Sequence, residues 1–182
     1  MSNLYKKFTK TEAAVNRDGG YKPKIFFCPI DTFLAIQKPT ASPTALGDTK
    51  KITTAHTFTS PAGFFSLYAK DHSVKTKSTS VGDDGVKQIE HEFEVIVTGD
   101  SAEHLEQFEA MLNDDLMILL KDQDCINATD HVQYGDECLT PTLSIEFDSA
   151  DTNTGVKYYK ITGKIRGHKY FYTGTVTEIT VA

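Results

Sequence analysis

The sequence predicts a mainly β protein: a β-sandwich or β-barrel with one flanking α-helix, a long hairpin and an extended N-terminal arm. Eleven Phe, eight Tyr and many Thr favour strands, and most regular segments alternate polar and apolar residues. Only residues 101–113 have helical spacing over a full segment. A chain of 182 residues can bury one core, so we expect an arm over residues 1–23 and one domain over residues 24–182.

Two segments before the hairpin predict exposed connections rather than core. Residues 1–23 show no sustained period and end near a Gly-Gly pair, which indicates an extended arm with a turn. Short strands are predicted at 25–28 and 33–36, each ended by a proline. Residues 37–54 are rich in Pro, Thr and Ala, and a loop of that length is usually functional or disordered.

The segment "VKTKSTSVGDDGVKQIEHEFEVIV" predicts the long hairpin, with Val81 and Val86 bracketing a four-residue turn. If those valines face each other, the expected pairs are Lys77 with Glu90, Lys75 with Glu92, and Ser73 with Glu94. Glu94 would then have no charged partner. Alternation predicts that the other face is buried: Ile89, His91, Phe93, Val95 and Val97.

The helix over residues 101–113 is expected to begin with Asp100 as its cap and Glu103 in its first turn. Its apolar stripe contains Ala102, Leu105, Phe108, Met111 and Leu112. The run "LMILL" at 116–120 predicts a strand buried on both faces. Further strands are expected at 142–147, 156–165 and 170–181.

No pattern in the sequence assembles a catalytic set, so we expect neither an enzyme nor a cofactor. His91 stands between two glutamates, but strand neighbours point to opposite faces and cannot converge on a metal. The three cysteines have no CxxC spacing, which predicts free, buried thiols. Asp148, Asp151 and Asn153 precede a glycine, but they lack the spacing of a calcium-binding EF-hand, so we interpret them as turn residues.

The segment "KIRGHKYFYTG" is the strongest candidate for nucleic-acid binding, because basic residues alternate with aromatic rings. Alternation, however, sends Tyr170 and Tyr172 to one face and Phe171 to the other, as in any half-buried strand. The net charge of −6 also disfavours sequence-independent binding to phosphates. We therefore favour a structural strand. We expect no membrane partner, because no apolar run approaches a signal peptide or a membrane span.

The order of parts, over roughly residues 20–181, resembles the tail tube proteins of long-tailed bacteriophages and the inner-tube proteins of contractile injection machines. The most similar stretches are "FEVIVTGDSAEHLEQFEAMLNDDLMILLKD" and "GDECLTPTLSIEFDSADTNTGVKYYKITGKI". The resemblance implies a β-sandwich or barrel with a helix that forms stacked six-fold rings. It also implies a channel through which DNA passes without specific binding, and contacts with other tail or connector proteins. The implied location is the virion tail, assembled in the bacterial host cytoplasm.

The resemblance gives roles to two groups of residues. The residues expected to line the channel are Glu90, Glu92, Glu94, Lys75 and Lys77. The residues expected to contact neighbouring subunits are Leu4, Tyr5, Phe8, Lys50, Lys51, Asp83 and Asp84. For the glutamates, a charged surface facing ordinary solvent is an equally open interpretation.

Two other functions remain open from the sequence. A head–tail connector or tail terminator could share the architecture and form one ring rather than a stack. A β-sandwich carbohydrate-binding module could have the same strands, with exposed tyrosines that contact a glycan.

Overall fold

Strands dominate the computed structural model, which describes residues 20–123, 131–150 and 155–179. Two short 3₁₀ turns lie at Ile30–Thr32 and Asp48–Lys50. Within the described ranges the strands and the helix are β1 (Tyr21–Pro29), β2 (Phe33–Ala35), β3 (Lys51–Ile52), β4 (Thr57–Phe58), β5 (Phe65–Tyr68), β6 (Lys75–Val81), β7 (Gln88–Thr98), α1 (Ala102–Asn113), β8 (Leu116–Asp122), β9 (His131–Tyr134), β10 (Thr142–Asp148), β11 (Tyr158–Arg166) and β12 (Lys169–Tyr172).

The strands form three sheets, which confirms the predicted mainly β sandwich with one helix. A four-stranded antiparallel sheet has the order β10-β11-β7-β6. A six-stranded sheet has the order β3-β12-β9-β8-β1-β5, and β2 pairs with β4 in a small third sheet. Because strand side chains alternate between faces, the four-stranded sheet can bury one face and leave the other to solvent.

Strand β8 separates two hydrophobic cores. Its residues Leu116, Ile118 and Leu120 belong to the core shared with the four-stranded sheet. Met117 and Leu119 belong to the second core, on the opposite face. All five are at most 2% exposed, which confirms the predicted strand buried on both faces.

The second core contains a buried free thiol. Cys28 is fully buried, and its Sγ lies 3.0 Å from Thr32 Oγ1 and 3.3 Å from the carbonyl oxygen of Gly63. Burial raises the pKa of this thiol, which keeps it protonated. The prediction of buried thiols is confirmed for Cys28 and wrong for Cys138, which is free but exposed. Cys125 lies outside the described residues.

The hairpin of β6 and β7 has a different register from the one predicted. Val81 pairs with Gln88 rather than Val86, because Val86 N donates to Asp83 O at 3.1 Å and closes a longer turn. The observed pairs are Lys75 with Glu94, Lys77 with Glu92 and Thr79 with Glu90. A shift of two residues leaves each side chain on the same face.

Because the faces are preserved, the predicted burial of Phe93, Val95 and Val97 is confirmed. The same prediction is wrong for Ile89, which is 52% exposed, and His91 is only partly buried. Both lie toward the hairpin tip, where the strands extend past the core.

The helix has the predicted bounds within one residue, but its cap and its buried face differ. Ser101 is the N-cap, and its Oγ accepts from His104 N at 3.2 Å. Asp100 instead lies 2.8 Å from Lys157 Nζ. In the predicted apolar stripe only Phe108 and Met111 are buried, whereas three members lie exposed on one side of the helix: Ala102, Leu105 and Leu112.

Several segments also differ from those expected. Strand β1 begins at Tyr21, inside the interval assigned to the arm. The loop 37–54 contains a 3₁₀ turn and strand β3, which pairs in parallel with β12. Strand β9 was not predicted, and β12 ends at Tyr172, far short of residue 181. Pairing partners distant in sequence stabilise these short strands, so local pattern does not reveal them.

We expect Gly163→Ala to lower the free energy of unfolding by about 1–3 kcal/mol, as overpacking of a core does. A Cβ atom at Gly163 would lie 2.1 Å from Cζ of the buried Phe93 ring. Thr162→Ala, on the outward face of the same strand, is the control. Urea titrations of both variants measure the difference, and equal stability of the two would contradict the packing of Phe93 on Gly163.

Candidate assembly surface

The outward face of the four-stranded sheet, opposite the core, carries ten charged side chains, which we call the charged face. Five are basic and five are acidic: Lys75, Lys77, Lys160, Lys164 and Arg166; Glu90, Glu92, Glu94, Glu146 and Asp148. Their formal charges sum to zero, 5 − 5 = 0. The seven that form ion pairs have side chains 25–67% exposed.

Strand β11 supplies the main partners of the three glutamates. Three pairs cross from β7 to β11: Glu94 Oε2 to Lys160 Nζ at 3.1 Å, Glu92 Oε1 to Lys164 Nζ at 3.8 Å, and Glu90 Oε2 to Arg166 Nε at 3.2 Å. The hairpin sequence predicts partner lysines only on β6. The cations of β11 were not predicted as partners, because the pairing of β11 with β7 joins distant parts of the chain.

Glu94 has the most cationic contacts of the three, contrary to the expectation that it has none. Lys75 Nζ lies 3.2 Å from its other oxygen, so two lysines flank one carboxylate. The hydrogen bond from Lys160 and then that from Lys75 hold the pKa of Glu94 below its ordinary value.

The two outer strands of this sheet, β6 and β10, have no further strand neighbour among the described residues, and we call them the open edges. Each is seven residues long and mostly exposed. Adjacent strands alternate in direction across the sheet, so with four strands the open edges run antiparallel to each other. Unpaired backbone groups along such edges are templates for another strand.

The predicted subunit-contact residues at the hairpin tip are exposed. The Asp84 side chain is 95% exposed, with Oδ1 2.5 Å from Lys87 Nζ. Asp83 O accepts the turn hydrogen bond from Val86 N. Leu4, Tyr5 and Phe8 lie outside the described residues.

The other two predicted contact residues lie near the junction of the sheets. Lys50 Nζ donates to Gly167 O at 2.8 Å and lies 5.3 Å from the centre of the Tyr170 ring. Lys51 opens β3 and is exposed. Lys50 is therefore already hydrogen-bonded within the chain, whereas Lys51 is accessible.

A cleft of about 640 Å³ lies beside Lys50, at the end of β7 that is nearer the hairpin tip. The charged, imidazole and phenol groups that line it are Lys50, His91, Arg166, His168, Lys169 and Tyr170. Burial, with repulsion from Lys169 and Lys50, holds the pKa of His91 below its ordinary value. The imidazole is therefore mostly uncharged at pH 7.

Asp136 fixes one wall of the cleft. Its Oδ2 lies 2.7 Å from His168 Nδ1 and accepts from Tyr170 OH at 2.9 Å, and its Oδ1 accepts from the backbone N–H groups of Cys138 and Leu139. Burial alone would raise the pKa of this carboxyl, but these hydrogen bonds together keep it below its ordinary value. The polar groups at this wall therefore serve the fold.

The aromatic and basic segment at residues 164–174, which ends beside this cleft, is largely engaged within the chain. Tyr172 is fully buried, Tyr170 is half-buried, and Phe171 is 53% exposed on the other side. Lys164 and Arg166 already face glutamates. Single-strand binding uses exposed rings together with unpaired cations; in this segment Phe171 is the strongly exposed ring, and the Lys164 and Arg166 cations are paired.

No group of three His, Cys, Asp or Glu side chains in the described ranges could hold a metal ion. Of the calcium-like turn, Asp148 accepts from Ala150 N and Tyr158 OH, while Asp151 and Asn153 lie outside those ranges. The helix found in the same ranges is too short and too polar to cross a membrane.

We expect Glu94→Gln to lower the free energy of unfolding at pH 7 by about 0.2–1 kcal/mol, the range of cross-strand charge pairs. The pKa of Glu94 is lower in the folded state than in the unfolded state. The stabilisation by its carboxylate is therefore complete above the unfolded-state pKa, and it disappears as the pH falls through the folded-state pKa. Urea unfolding between pH 7 and pH 2 measures it, with Glu106→Gln on α1 as the control. A difference that persists unchanged at pH 2 would show that the carboxylate charge is not the cause.

Comparisons of this chain with models of known protein families, with curated proteins and with solved structures find no match.

Proposed function

We propose that the chain is a non-enzymatic structural subunit that assembles with copies of itself into rings, which stack into a tube around a DNA-conducting channel, as in a bacteriophage tail. The observation that carries the proposal is the four-stranded sheet: one face is buried, the other is charge-balanced, and both edges are open.

The direction of the open edges favours a closed ring. In a ring every copy has the same orientation, so β6 of one copy meets β10 of the next. These strands run antiparallel, and the joined sheet continues the alternation already present within one copy. Such head-to-tail contacts pair both open edges of every copy only if the ring closes.

The charged face suits the wall of a channel for DNA. Surfaces bind DNA chiefly when cations neutralise phosphates and release counterions. Here four of the five cations are paired with glutamates, and the face has no net formal charge. A neutral, hydrophilic wall offers phosphates little net attraction. The three cations of β11 make this balance possible, since the sequence alone indicates two lysines beside three glutamates.

The size of such a channel fits a duplex. Six copies, the number that the resemblance implies, contribute 6 × 4 = 24 strands. Strands about 4.8 Å apart and tilted by about 35–45° would give a barrel of about 45–50 Å between opposite backbones. Inward side chains narrow this span but leave room for a DNA duplex.

Assembly is tested by sedimentation and negative-stain electron microscopy of the full chain at rising concentration. We expect rings and filaments, and no retention of labelled DNA at physiological salt. A single ring that never stacks would indicate a connector or terminator instead. A chain that stays monomeric at every concentration would rule out the tube.

Ser80→Pro should block assembly while leaving the monomer folded. Ser80 lies near the end of edge strand β6, makes no side-chain hydrogen bond in the described residues, and has its backbone N–H on the open side. Proline removes that donor and is tolerated in edge strands. Ser80→Ala is the control. Circular dichroism should show a normal melting transition, and unimpaired filaments from the proline variant would exclude β6 from the contact.

A further inference from the structure

We propose a single register for the contact between copies, in which β6 of one copy pairs with β10 of the next so that Lys75 faces Asp148 and Lys77 faces Glu146. This inference rests on the proposed assembly and specifies which residues meet. It follows from four properties of the two open edges: the direction of their backbone groups, their length, their charges and their stagger.

The backbone groups limit the possible registers. Ile96 O accepts from Lys70 N on the β6 side, whereas Ile89 O accepts from Gly167 N on the β11 side. The backbone groups of outward-facing β7 residues therefore form hydrogen bonds with β6, and those of core-facing β7 residues form hydrogen bonds with β11. Continuing the alternation leaves free backbone groups on six core-facing residues: Thr76, Ser78 and Ser80 on β6, and Leu143, Ile145 and Phe147 on β10.

Length selects one register from that set. Registers that join these free groups differ by steps of two residues, since a step of one would exchange the faces. Only one aligns all seven residues of Lys75–Val81 with all seven of Thr142–Asp148. In that register three pairs can exchange hydrogen bonds: Thr76 with Phe147, Ser78 with Ile145, and Ser80 with Leu143.

Charge favours the same register. Seven of the ten charges on the charged face form ion pairs within one copy. Lys77, Glu146 and Asp148 have no ion pair within 4.0 Å among the described residues, and all three are on the open edges. Full overlap places both carboxylates opposite lysines of β6. A step of two residues either way would leave only one such pair.

The stagger of this register is that of a closed barrel. Within one copy the aligned positions are Lys75, Glu94, Thr162 and Ser144. Across the contact Ser144 would face Thr79 of the next copy. Thr79 is four residues beyond Lys75 along β6, so crossing four strands produces a stagger of four residues. One residue of stagger per strand corresponds to a tilt of about 35°, at the lower end of the range in closed barrels.

The hand of the stagger is also that of natural barrels. Consider the sheet viewed from the core, with β7 running upward. An L-residue whose side chain points toward the viewer has its N–H and C=O groups on the right. Ile89 is such a residue and its O accepts from Gly167 N, so β11 lies to the right of β7. The next copy on that side is raised by four residues along β7. The strands therefore lean to the right when seen from outside the ring, as right-twisted sheets require.

Exposed apolar side chains flank the β10 edge. Phe147 is 47% exposed, and its ring centre is 4.9 Å from that of Tyr159. Leu105 and Leu112 are 48% and 46% exposed on α1, which packs beside β10. An added strand from a neighbouring copy would lie against this strip, so the contact removes apolar surface from water.

Disulfide trapping tests the register directly. In a Cys125→Ser/Cys138→Ser background, Thr79→Cys with Ser144→Cys would place two thiols directly opposite, at a Cα separation of about 4.5 Å that a disulfide can span. The edges lie on opposite sides of the sheet, so linkage can occur only between copies. The controls shift the register by two residues: Thr79→Cys with Thr142→Cys, and Thr79→Cys with Glu146→Cys.

After mild oxidation we expect a ladder of covalent multimers from the first pair on non-reducing gels, lost on reduction, and at least about tenfold less product from the controls, whose Cα atoms are too far apart. Linkage of a control pair instead would overturn the register. Filaments in the microscope with no linkage by any pair would also overturn it and leave the tube standing. If neither filaments nor cross-linked products form, both the proposed register and the proposed tube are rejected.

Charge reversal gives a second readout. Lys77→Glu alone and Glu146→Lys alone would each oppose like charges across the contact, and we expect the concentration needed for assembly to rise at least about threefold. The double variant restores opposite charges and should assemble like the parent chain. If the double variant is as impaired as the worse single variant, the two residues do not face each other.

Discussion

The pairing of β7 with β11 is the interaction on which the rest of the structure depends. On the core face it seats Phe93 against Gly163, where no larger side chain fits without displacement. On the outward face it brings three glutamates within 4.0 Å of three cations. The same ladder makes these two strands central, so that β6 and β10 become the edges. Packing, charge balance and the open edges therefore follow from one ladder.

Open edges of this length are a hazard for a chain that works alone, because exposed backbone pairs with any available strand. The edges here carry lysines on β6 and carboxylates on β10, a distribution that favours contact between unlike edges over contact between like ones. Two copies of β6 would oppose cations, and two copies of β10 would oppose anions. If copies pair through these edges, as we propose, the charges favour head-to-tail contacts, which a closed ring requires.

The basic and aromatic segment near the C-terminus shows how tertiary contacts change the meaning of a motif. In sequence it has the composition of a nucleic-acid-binding strand. In the fold Tyr172 stacks on His56 with ring centres 4.6 Å apart, and Asp136 engages the Tyr170 hydroxyl. The segment spans the end of β11 and all of β12, so it contributes to the charged face, the cleft wall and the second core.

The sequence by itself determined the class of the fold, the helix, the buried run of β8 and the face on which each residue of β7 lies. These depend on periodicity over neighbouring residues, which any strand or helix expresses locally. The tertiary structure decided the hairpin register, the partner of each glutamate, the side of α1 that is buried and the identity of the open edges. Glu94 and Thr162 are paired although they are 68 positions apart, and no local pattern specifies such a choice, because it depends on the packing of the whole core.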